Sequence, residues 1–159
     1  MILDAQAQFS SSQALTSTGA VGENVIDLQV VRSMGHGEPL GVLFVVEVAA
    51  DQTTGDEDYT FDVEYATNAA QSTGRQLIGR RVFESGTPTA PAQDADLLVA
   101  GYKFVIPVPA VSIDEAAQYL GIRTVMAGTT PTITISAWLQ PLSMIDNAII
   151  HYANNSTIA

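Results

Sequence analysis

Apolar side chains recur at every second position through much of this chain. In TITISAWL (132–139), Ile133, Ile135, Ala137 and Leu139 share one face of an extended segment, while Thr132, Thr134, Ser136 and Trp138 share the other. In GYKFVIPV (101–108), Tyr102, Phe104, Ile106 and Val108 repeat with the same period, so Pro107 has to sit on an edge or at a bulge, where no ladder amide is missed. YTFDVEYAT (59–67) sets Phe61, Val63 and Tyr65 against Asp62 and Glu64 and is the most clearly amphipathic run. VLFVVEVAA (42–50) is nearly continuous in apolar residues, which predicts a central strand covered on both faces.

VIDLQVV (25–31) and RQLIGRRVF (75–83) complete the strand candidates, and GHGEPLG, DQTTGDED and GTPTAPAQDAD read as turns and loops between them. The one helix signal is Ser112-Ile113-Asp114-Glu115, a capping-box spelling, and Gly121 limits it to about two turns. Runs of about eight strands, with turn signals every 8 to 15 residues or so and no alternation with long helices, predict an all-β domain. The expected fold is a single-domain jelly roll or β-sandwich of about eight antiparallel strands spanning 1–159, with at most one short helix near 113–119. An extended N-terminal arm (1–16) carrying Ile2, Leu3 and Phe9 as apolar anchors, and a C-terminal tail from about 143 to 159, flank it.

Composition narrows the function. Hydrophobic residues make up 47% of the chain and charged ones only 14%, so Thr, Ser, Gln and Ala finish the surface, and some of it is expected to be hidden in an assembly. A homo-oligomer is therefore expected, a dimer first and a trimer second. Seventeen acidic residues against six basic ones give a formal charge of −11, a field that repels nucleic acid and anionic membranes. The absence of cysteine removes disulfides, thiolate metal sites and a Cys nucleophile. Apolar runs such as Val42 to Val46 stop at about five residues, far short of the ~20 of a membrane span, and no cleaved export signal is expected.

Few residues invite chemistry. His36, between two glycines, and His151, near the C-terminus, read as structural or solvated, and the GHG turn precedes a strand rather than opening a helix, which argues against a phosphate site. Asp51, Asp56, Glu57 and Asp58 offer hard-cation ligands without the spacing of a calcium loop, so a solvated hairpin tip is expected, with no metal or cofactor. Asp62 and Glu64 resemble a glycosidase pair only in residue type; carboxylates two apart on a strand more often keep an edge soluble. No catalytic residue is assigned. Arg75, Arg80 and Arg81 form a positive spot on an acidic protein, either paired within the chain or docking on a partner's carboxylates. Trp138 belongs either to a second core layer or to an interface.

The opening MILDAQAQFSSSQALT, NVIDL (24–28), GHGEPL (35–40), YKFVIPVP (102–109), QYLGIR (118–123) and ISAWLQ (135–140), in that order and spacing, resemble the capsid cement protein of the Bordetella-phage type. The chain departs from that pattern at SIDEAA (112–117) and in the acidic loop at 51–58. The resemblance implies a jelly roll, with no catalytic residues, that binds the major capsid protein on the outside of an HK97-like head after assembly in the host cytoplasm. Ile2, Leu3, Phe9, Arg75, Arg80, Arg81 and Trp138 are the candidate contacts. A carbohydrate-binding jelly roll, stacking sugar on Tyr65, Tyr102 or Trp138, is the alternative.

Overall fold

The computed structural model describes residues 5–16, 18–34, 37–86, 89, 91–111 and 117–145. Ile2, Leu3, His36, His151, the tail beyond 145 and residues 113–116 of the expected helix lie outside them, while its last positions, 117–119, are not helical and lead into a strand at Tyr119. The described residues hold ten strands: β1 (Gln8–Leu15), β2 (Ala20–Val21), β3 (Ile26–Asp27), β4 (Leu40–Val48), β5 (Asp58–Ala66), β6 (Gln76–Glu84), β7 (Gln93–Asp94), β8 (Lys103–Val108), β9 (Tyr119–Ala127) and β10 (Ile133–Pro141).

They form two sheets, β1-β10-β4-β8 and β2-β9-β5-β6-β7, with β3 also paired to β9. Every pairing is antiparallel except the short parallel contact of β6 with β7. If β2 and β3 count as one interrupted strand and β7 is set aside, eight strands remain, ordered 1-8-3-6 and 2-7-4-5 along the chain. That order is the double Greek key of a jelly roll. The all-β sandwich read from alternation is thus the observed fold, with two more short strands than expected.

The inward faces make one core. Phe44, Phe61, Phe83 and Phe104 meet at its centre, with Phe44 and Phe104 stacked at 4.9 Å and Phe61 edge-on to Phe83. Such pairs add about 0.5–1.5 kcal/mol each beyond the area they bury. Ile133, Ile135, Ala137, Tyr59, Val63 and Tyr65 join the same cluster from β10 and β5, as their period required.

Three expectations change. Residues 8–15 of the expected arm are a sheet strand paired to β10, with Phe9 fully buried in the chain's own core. The amphipathic period is hidden there by two register shifts and by the left-handed Ser12 (φ 49), whose N–H donates to Ser136 Oγ at 2.8 Å. VIDLQVV yields only Ile26–Asp27, because Gln29 turns left-handed (φ 68) and its N–H donates to Asp27 Oδ1. β5 is a central strand between β9 and β6, so Asp62 and Glu64 do not protect an edge.

Candidate functional site

The outer face of the β5 sheet carries a row of charges. Antiparallel register sets Asp62 opposite Arg80 on β6 and Arg123 on β9, with Glu64 one step further along β5. Arg80 donates twice to Asp62, Nε to Oδ1 at 2.7 Å and Nη2 to Oδ2 at 2.8 Å, and this fork raises the Arg80 pKa. Arg123 leans diagonally, its Nε donating to Glu64 Oε1 at 2.9 Å and its Nη1 to the Gly19 carbonyl at 2.9 Å. Arg75 Nε lies 3.9 Å from Glu64 Oε2.

Both carboxylates are about 5% exposed, so their charges are withdrawn from water and held by these partners. Arg123 is the least exposed of the three guanidiniums and is also tied to the carbonyl of Gln71. Gln71 holds φ 50 in the loop between β5 and β6, with its side chain lying over Gly121. Its amide is oriented so that the oxygen accepts from Gly121 N–H at 2.9 Å and the nitrogen donates to the Ile122 carbonyl at 3.3 Å. A Cβ at position 121 would fall 1.6 Å from that amide, so glycine is what lets the loop close over the row. Neither Arg123 nor Gln71 stands out in the sequence, since their roles depend on a strand pairing that no local pattern states.

The three predicted arginines gather along β6 and the loop before it, Arg80 opposite Asp62 on the outer face and Arg81 opposite the core residue Phe61 on the other, and each has a partner in the chain. Arg81 Nε donates to the side-chain carbonyl of Gln93 on β7 at 2.9 Å, and among the described residues it makes no ion pair. Arg80 and Arg81 border two neighbouring depressions of about 410 and 290 Å³. The first is also lined by Val82, Pro91 and Gln93, the second by Ile78, Val105, Pro107 and Pro109.

Trp138 lies on the opposite side of the molecule, on the outer face of the β4 sheet, across from Leu43. It is 9% exposed and Leu43 is fully buried, because this face carries a second apolar layer. Residues 142–145 turn helically after β10, and a Cβ on Gly41 would meet Leu142 at 2.5 Å and Ile145 at 3.4 Å. The aromatics considered for sugar stacking are similarly engaged. Tyr65 is fully buried and its hydroxyl accepts from Met34 N–H at 2.8 Å, while Tyr102 packs edge-on to Phe83.

The acidic loop satisfies itself. Glu57 accepts from Thr54 N–H and Asp56 N–H at 3.1 Å, and Asp56 accepts from both the N–H and the hydroxyl of Thr129 at 3.1 Å. Hydroxyl bonds from Thr53 to Asp51 and from Thr54 to Asp56 and Glu57 hold all three carboxyls below their ordinary pKa. Asp58 is shifted up instead, by burial and by Glu84 directly across the ladder. Among the described residues no three His, Cys, Asp or Glu side chains converge as metal ligands would, and no helix is long and apolar enough to cross a membrane.

The model of the Bbp16 family matches residues 9–139, from Phe9 of the first strand to Leu139 near the end of the last. The chain belongs to the Bbp16 family. The name points to a Bordetella phage protein, and the match takes in both sheets, the charge row and Trp138. A search of the curated proteins finds no match.

Proposed function

We propose that this chain is a structural protein of the virion that binds the outer surface of an HK97-like phage head and cements neighbouring capsomers. The observation that carries the reading is membership of the Bbp16 family across the whole jelly roll. Two features of the molecule support it. Asp62 and Glu64, the carboxylates considered for a hydrolase, are committed to Arg80 and Arg123, which supports a reading in which the protein acts by binding. The acidic surface keeps it off packaged nucleic acid while leaving it free to meet a protein shell. The low proportion of charged residues fits a protein that works as a homo-oligomer, a dimer first and a trimer second.

Heads lacking this protein, from the phage that encodes it, are mixed with the purified chain and sedimented. Stoichiometric co-sedimentation, with added density on the outer surface in electron micrographs and heads that survive higher temperature, is expected. Absence of the protein from purified virions by mass spectrometry would refute the reading. Sedimentation of the free protein as a monomer at high micromolar concentration would refute the oligomer.

A further inference from the structure

Each sheet of a sandwich ends in strands whose outer backbone groups have no ladder partner, and such edges recruit foreign strands unless something blocks them. Three of the four edges here are blocked. β1 is broken by two register shifts and the left-handed Ser12. β8 carries Pro107, which has no amide to donate. β2 and β3 are two residues each. The remaining edge is β6, which β7 covers only at Phe83 and Glu84. Among the described residues, positions 76–82 (QLIGRRV) face no strand on that side, and they contain no proline.

We infer that the free edge of β6 takes an extended, carboxylate-bearing segment of a partner protein as an added strand. The two depressions flank this edge and supply apolar walls from Ile78, Val82, Val105, Pro107 and Pro109. Arg81, anchored by Gln93 and making no ion pair among the described residues, supplies a positive charge on a protein of net charge −11. Arg80, about half exposed, adds a second cation whose field Asp62 only partly offsets. Backbone pairing would give affinity and the guanidinium would select acid over base, the division of labour found in strand addition generally. A second copy of this chain fits less well, since the free stretch 76–82 holds no carboxylate and pairing it with itself brings two Arg80-Arg81 pairs together. The inference rests on the proposed function only for the partner's identity, and its test needs no phage heads.

The probe is a ten-residue peptide alternating glutamate and valine, titrated into the full chain while backbone amide exchange is followed by NMR. Expected is at least about tenfold slower exchange for those amides of 76–82 that point away from β5. The same peptide with lysine for glutamate, or N-methylated throughout, should not bind. Arg81→Glu should weaken binding at least about tenfold with an otherwise unchanged spectrum. Protection on β1 or β8 instead, no protection at millimolar peptide, or equal binding of the lysine or N-methylated peptide would each overturn the inference. So would protection of 76–82 in the free protein that is lost on dilution, which would assign the edge to a second copy.

Discussion

The two outer faces of the sandwich solve the same problem in opposite ways. Both sheets turn apolar side chains inward, but outside β4 the chain lays a second apolar layer of Leu43, Trp138 and the turn at 142–145, whereas outside β5 it lays interlocked charges. The difference is written in the local composition. A face covered by apolar groups needs few charges, and one covered by arginine forks needs carboxylates at the matching register. Burying ions is costly unless each is paired, so the charged face trades tolerance for specificity: apolar replacement of a whole pair is often neutral, while loss of one partner is severe.

Predictions that separate the two faces follow from that contrast. The largest effect is expected at Trp138→Ala, which empties a buried indole site and should cost about 3–5 kcal/mol by chemical denaturation. An unchanged denaturation midpoint would mean that the apolar layer is not a second core. Arg123→Met leaves Glu64 buried with only the distant Arg75, and a loss of about 3 kcal/mol is expected, most of it restored by adding Glu64→Leu. A double variant no more stable than Arg123→Met would show that the charges hold more than each other.

Tyr59 offers a pH test at the acidic end. Burial is the main reason its hydroxyl pKa is pushed up to about 12, and it donates to the carbonyls of Asp51 and Thr132. The folded state therefore keeps the proton after the unfolded chain has released it near pH 10. Stability should be intact below that pH and fall by about 2–3 kcal/mol as pH rises towards 12. Tyr59→Phe should remove this alkaline loss, which urea melts at pH 8 and 11 would reveal. The smallest effect is expected at Gln140, buried on the apolar face with both amide atoms unpartnered among the described residues. Gln140→Met should stabilise by about 1 kcal/mol, since an unsatisfied buried amide is a net cost. A destabilised melt would show that the amide is partnered.

What was legible in the sequence was whatever a period of two can carry. The inward faces of β5, β8 and β10, the two-sided burial of β4 and the edge position of Pro107 all follow from single strands read alone. The first strand is not legible because bulges break its period, so the sequence presents Phe9 as an anchor on an arm although it is core. The charge row is not legible because Asp62 and Glu64, Arg80, and Arg123 lie on three strands, with Arg75 in the loop before β6, and only register joins them. For Arg75, Arg80 and Arg81 the sequence left internal pairing and docking open; Arg80 and Arg75 are paired internally, and Arg81 bonds neutral Gln93.

The jelly-roll order also fixes how this domain carries load. β1 and β10 are neighbours, and Gln8 lies opposite Trp138, so the chain enters and leaves at the same end of one sheet. A pull on both strand ends would open that ladder one rung at a time, like a zipper, instead of shearing all its rungs at once. The domain is therefore soft to tension through its own backbone and stiff to tension across its sides, where a force must slide whole sheets. A tether that has to bear strain is better gripped along its flanks than by its ends.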